Sequence, residues 1–133
     1  MSRAFGWVSV TKPDGEKESL RYDIFVSLLF KAMPLDMMKA HAAMLVAGEA
    51  GELVDAIKKE IIYNKPLDKE NLIEELGDLR FGIQAVMNLY DISEAQILQA
   101  NAEKLAKRYA GLAYSDKAAQ ERADKNGPAK DQT

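Results

Sequence analysis

The chain has 133 residues, no cysteine and a formal net charge of -3, with a pI near 5.2, a size that one hydrophobic core can organise. The missing cysteines exclude disulfides, thiolate zinc sites and a thiol nucleophile, and the acidic balance argues against a protein built to grip duplex nucleic acid. No segment approaches the ~18 consecutive apolar residues of a membrane span and MSRAFGWVSV lacks the apolar core of a secretion signal, so a cytoplasmic protein with no membrane partner is expected.

Residues 1–18 hold Gly6, Pro13, Asp14 and Gly15 around Trp7, Val8 and Val10, which reads as an irregular arm or a small hairpin. From Leu20 to Met33 the residues Ile24, Phe25, Leu28 and Leu29 recur at helical spacing, and Pro34 closes this first helix. Asp36 can cap a second helix that runs to about Tyr63 and ends in Asn64-Lys65-Pro66. A third helix starts near Asp68, carries Leu72, Leu76, Leu79, Ile83 and Val86 on one stripe, and stops around Tyr90-Asp91. Ser93 and Gln96 have capping-box spacing, so a fourth helix starts there, extends to Arg108 or Tyr109 and is terminated by Gly111. Past Tyr114 the chain is polar with almost nothing large to bury; residues 115–125 can form one more short helix, and the last several residues are expected to fray. The short connections predict an all-α bundle of four to five helices, with a single domain over 1–114 and a polar tail over 115–133.

Four acids stand out against this pattern. With an advance of about 100° per residue, Ala42, Leu45, Val46, Leu53 and Ala56 fall within roughly 60° of Glu49, which places that carboxylate at the centre of an apolar stripe. Glu52 lies one turn later on the flank of the same stripe, and Glu75 and Asp78 repeat the i, i+3 relation at the border of the third helix's stripe. Holding ionised carboxylates away from water costs several kcal/mol per charge without compensation. Lysine, arginine, protons or metal could supply it, and an all-oxygen set suits a hard ion such as magnesium or manganese. A solvated acidic face is the plainer reading, and it is the one applied to Asp55, Glu60 and Glu74. It fits Glu49 poorly, because apolar residues flank that position on both sides. A di-iron bundle site would want Glu-x-x-His pairs, whereas the only histidine, His41, does not follow a glutamate by three residues and reads as a packing or pocket-rim residue.

On the fourth helix Asn101, Lys104 and Arg108 lie at i, i+3 and i+7 on one face, with Tyr109 next in the chain. Such a face can hold a polyphosphate through charge-assisted hydrogen bonds. The same cations could equally complement the helix dipole and stay in water.

The segments GEAGELVDAIKK (48–59), IEELGDLR (73–80) and NAEKLAKRY (101–109) together resemble the MazG-like nucleoside triphosphate pyrophosphohydrolases, over roughly residues 37–110. The resemblance rests on an ExxE, a later ExxD and a downstream N-x-x-K-x-x-x-R-Y, in that order. It implies an all-α fold and hydrolysis of a (d)NTP to the monophosphate and pyrophosphate. It further implies that Glu49, Glu52, Glu75 and Asp78 are the catalytic metal ligands for two or three Mg2+ ions, with Mn2+ as a substitute, and that Asn101, Lys104, Arg108 and Tyr109 bind the substrate. Many members carry two glutamates before the A-G-E step, where this chain has Gly48 at the first, a variant similar to small single-domain members. Members act as dimers or as tetramers, so a homodimer or homotetramer is implied. The alternatives are a base-specific dUTP, dCTP or purine dNTP pyrophosphatase, with Trp7, Tyr22 or Phe25 as a base platform, and a non-catalytic helical oligomerisation module.

Overall fold

The computed structural model of the chain describes residues 6–125; the frayed end expected of the last residues and the first five residues of the arm lie outside them. The chain divides into two compact units, Met1–Asp91 and Ile92–Thr133. Among the described residues there are five helices and one two-stranded sheet.

In the first unit the arm takes the second of its two expected forms, a small hairpin. β1 (Trp7–Thr11) and β2 (Lys17–Arg21) pair antiparallel, with Val8 opposite Leu20 and Thr11 opposite Lys17. Its turn uses Pro13-Asp14-Gly15: the Gly15 N–H donates to the Lys12 carbonyl at 2.9 Å, the Lys12 N–H donates to the Glu16 carbonyl at 2.8 Å, and Gly15 sits at φ +88°. A three-residue loop with a left-handed last position closes a hairpin in the hand that matches strand twist, and glycine takes that position without a Cβ penalty. The second strand, reading KESLR, draws Leu20 and Arg21 out of the expected first helix, because Leu20 completes the inward row with Val8 and Val10.

Helix α1 therefore spans Tyr22–Leu29, shorter at both ends than Leu20 to Met33. It stops early because Phe30 turns to an extended conformation and lays its ring 5.2 Å from that of His41. Helix α2 (Leu35–Ile61) takes Pro34, not Asp36, as its N-cap, and no side chain caps it. Proline is already set for a helix entry and has no N–H to satisfy, so Asp36 falls inside the first turn, where its charge favours the helix dipole. At the other end the Lys65 N–H donates to the Lys59 carbonyl at 3.1 Å across Asn64 in the left-handed region at φ 51°, a closure spanning seven residues around a left-handed position that stops the helix. Helix α3 (Lys69–Leu89) starts as expected, with the Asp68 carboxylate accepting from the Asn71 N–H at 3.0 Å.

Helices α2 and α3 run antiparallel: Leu45 and Val46 face Gly82, while Glu49, further along α2, faces Glu75 and Asp78, earlier on α3. The core is small. Val26, Ala42 and Ala85 form its centre, surrounded by Tyr22, Phe30, Phe81, Val86 and Leu89. A polar spine lies beside it on α3. Arg80 donates to the Gln84 carbonyl oxygen at 3.0 Å, Gln84 donates to the Asn88 oxygen at 2.8 Å, and Asn88 donates to the Asp23 carbonyl at 2.9 Å and the Ser27 hydroxyl at 3.0 Å on α1.

The second unit holds α4 (Glu94–Arg108) and α5 (Asp116–Glu121). The capping box that opens α4 is complete: the Gln96 N–H donates to the Ser93 hydroxyl at 3.1 Å, and the Ser93 N–H donates to the Gln96 side chain at 2.8 Å. Ser115 caps α5, which ends at Arg122 in the left-handed region at φ 52°, short of Lys125. Among the described residues no helix is long and apolar enough to cross a membrane.

Candidate functional site

Three of the four acids converge. Oxygens of Glu49 on α2 and of Glu75 and Asp78 on α3 lie within 4.8 Å of one another, with Glu49 and Glu75 half-buried and Asp78 exposed. The convergence follows from helical spacing. Glu49 shares its face with Ala42 and Ala56, both buried, and with Leu45, Val46 and Leu53, all half-buried. That face must point at α3, and Glu49 points there with it. Glu52 is exposed and stands outside the trio, one helical turn along.

The electrostatics of the cluster are those of a site short of positive charge. Desolvation, then the charges of Glu52, Asp78, Glu49 and Glu74 in that order, push the Glu75 carboxyl above its ordinary value. Asp55 behaves oppositely: Lys59 and Lys58, each at 3.1 Å, hold its carboxyl below the usual range, so it is a satisfied surface acid as expected.

A sign follows for stability. A carboxyl whose folded value is raised contributes its full stability below its unfolded value and loses it as pH rises through the folded one. Glu75→Gln in metal-free buffer should therefore melt above wild type at neutral pH. The gap should close below pH 4.5, the ordinary value of this carboxyl, where wild type is protonated in both states. Calorimetric melts from pH 4 to 8 measure this, and a variant no more stable than wild type at pH 7.5 would contradict it.

The donor set fits a hard divalent cation: oxygen ligands only, from two rigid helices, with mutual repulsion that such an ion would relieve. His41 is not among these groups. Its ring packs on Phe30, and its Nδ1 is buried without a hydrogen-bond partner, which makes it a packing residue. Of the aromatic candidates, Tyr22 and Phe25 stack with centroids 6.1 Å apart, Arg80 lies 5.5 Å from the centre of the Tyr22 ring, and Trp7 is exposed.

In the second unit Asn101 and Lys104 are exposed on α4, while Arg108 and Tyr109 are half-buried. The Tyr109 ring leans on Tyr114 at 5.5 Å. Arg108 makes a paired contact that sequence reasoning did not foresee: its Nε and Nη2 donate to the two oxygens of Asp124 at 2.7 and 3.0 Å. The Asp124 side chain is only 1% exposed. Arg108 above all, with lesser help from Arg122, holds its carboxyl at about 2. Asp124 lies in the polar tail with no large apolar neighbour to flag it, and the left-handed turn at Arg122 that returns it to α4 leaves no mark in composition.

Residues 39–112 match the family described as the MazG nucleotide pyrophosphohydrolase domain. The chain is also 37% identical over 70 residues to a Bacillus subtilis (strain 168) protein, "Uncharacterized protein YvdC", across 46% of this chain and 66% of that relative's length. No solved structure matches the chain.

Proposed function

The chain belongs to the MazG nucleotide pyrophosphohydrolase domain family, and from that premise we propose that it hydrolyses a nucleoside triphosphate, ribo or deoxy, to the monophosphate and pyrophosphate. The observation that carries this reading is the convergence of Glu49, Glu75 and Asp78 from two helices within 4.8 Å, an acid trio that asks for divalent cations. Glu49, Glu52, Glu75 and Asp78 would hold two or three Mg2+ ions, with Mn2+ as a substitute. When bound, such ions would polarise the phosphates and lower the pKa of a water.

Phosphoryl transfer needs positioning and charge neutralisation more than organic chemistry. The water attacks the α-phosphorus, the bond to the bridging oxygen breaks, and pyrophosphate leaves. One of the α2 carboxylates, Glu49 or Glu52, takes the water's proton. Asn101, Lys104, Arg108 and Tyr109 supply donors and positive charge to the phosphates. The many large apolar side chains left exposed along α2 and α3, among them Met44, Val54, Ile61 and Ile73, support a homodimer or homotetramer that would cover them. The preferred base would be chosen by a pocket whose candidate walls are the stacked Tyr22 and Phe25.

A panel of dNTPs and NTPs, read by pyrophosphate release with Mg2+, with Mn2+ and with excess EDTA, tests the proposal. At least one nucleotide should be turned over with metal and none with EDTA. Thermal melts should rise with Mg2+ and nucleotide together. Absence of both effects across the panel would overturn the enzyme reading in favour of a non-catalytic helical module.

A further inference from the structure

The pairing of Arg108 with Asp124 bears on how the α4 cations meet a phosphate. A guanidinium carries five N–H donors in a rigid fork, and Asp124 takes one on Nε and one on Nη2. That engages one edge of the group; the Tyr109 hydroxyl also bonds the guanidinium, and the donors that remain are the ones a second anion would use. The carboxylate itself is sequestered at 1% side-chain exposure, against 16% for Arg108, so it is built into the unit and not merely resting on its surface. Arg122 stands further off, its Nε 3.7 Å from the same Asp124 oxygen. Asp124 also lies with Lys104, Lys107 and Glu103 in the wall of one shallow depression along α4. The residue that grips Arg108 thus shares a depression with the other cation assigned to phosphate.

A free arginine side chain samples many rotamers, and ordering it on binding costs affinity. A bidentate carboxylate removes that freedom beforehand. We propose that Asp124 is a positioning residue, fixing the guanidinium of Arg108 by one edge so that its remaining donors are presented, with Lys104, to the triphosphate. This inference rests on the phosphate-binding role proposed for Arg108. It gives the polar segment after α5 a task in substrate binding, performed through a turn that only the left-handed Arg122 makes possible. Each partner supports the other. The Asp124 carboxylate, with a smaller contribution from the Tyr109 hydroxyl, raises the Arg108 pKa above its ordinary value, and Arg108 keeps the buried carboxylate ionised.

Calorimetric titration of the full chain with inorganic tripolyphosphate in Mg2+ reads phosphate binding without base recognition or turnover. Asp124→Asn, which keeps the shape but removes the charge, should weaken binding about tenfold, the order of one charge-assisted hydrogen bond. In an Arg108→Ala background the same substitution should change affinity less than about twofold, because the carboxylate then has nothing to orient. Arg108→Lys retains the charge but not the fork, and should weaken binding as Asp124→Asn does, which keeps the question answerable if Asp124→Asn folds poorly. Wild-type affinity in a folded Asp124→Asn protein would overturn the inference, and so would tighter binding, which would mean that the carboxylate competes with phosphate. Unchanged affinity in Arg108→Ala is a different failure: it would remove Arg108 from the phosphate site and sink the reading beneath.

Discussion

Glu49→Gln should lower pyrophosphate release by about 1,000-fold or more while leaving the helical circular dichroism spectrum unchanged. The substitution preserves volume on a face that already packs: Glu49 is half-buried between Leu45, Val46 and Leu53, and its backbone lies in the middle of α2. What it removes is one of three charges gathered within 4.8 Å, so the repulsion between the acids falls. Loss of activity could not then be assigned to loss of fold. Steady-state turnover of the best nucleotide in the panel decides the matter. Near-normal rates in the variant would contradict the role given to the cluster.

A second large effect is expected where Gly82 of α3 meets α2. A Cβ placed on Gly82 would lie 3.1 Å from the Val46 side chain, 3.2 Å from the Val46 backbone nitrogen and 3.4 Å from the Leu45 Cβ. A side chain can rotate away, whereas a backbone nitrogen moves only with its helix. Gly82→Val should therefore force the helices apart and cost about 2–3 kcal/mol, of which the better helix propensity of valine returns only a few tenths. For a unit of this size the melting temperature should fall by about 10–20 °C. The Mg2+-induced stabilisation should shrink as well, because Glu49 comes from one helix and Glu75 and Asp78 from the other. Melts with and without Mg2+ measure both effects. A wild-type melting temperature would show that the two helices part at little cost.

The candidate site and the fold differ in how readily they can be read from residues alone, and the difference is one of distance along the chain. Caps are local. Ser93 and Gln96 lie three residues apart and form the expected box, and Asp68 with Asn71, also three apart, caps the helix expected to start there. The acid pairs Glu49/Glu52 and Glu75/Asp78 are also local, and helical periodicity alone places each pair on its face. Bringing Glu49 to Glu75 and Asp78 needs only the packing of two consecutive helices, which short connections favour. Two of the helix ends that differ from expectation, those of α1, are set by tertiary contact. Phe30 leaves α1 for His41 and the core, and Leu20 joins β2 to complete a row with Val8 and Val10, a gain that periodicity within α1 does not register. Gly82 and Asp124 belong to the same class. Nothing beside Gly82 in the sequence announces Val46, and sixteen residues separate Asp124 from Arg108.

The side-chain amides of α3 have one further property. Asn88 uses its nitrogen on Asp23 and Ser27 and its oxygen on Gln84, and Gln84 in turn offers its oxygen to Arg80. Every group in the series is thereby oriented the same way, with the cation at one end and a main-chain carbonyl of α1 at the other. Rotating any single amide by half a turn would set like atoms against each other on both sides, so the series is locked in one sense from end to end. Arg80 follows Asp78 by two residues, and the alignment of α1 is thus tied, through dipoles that all point one way, to the stretch of α3 that carries the acids.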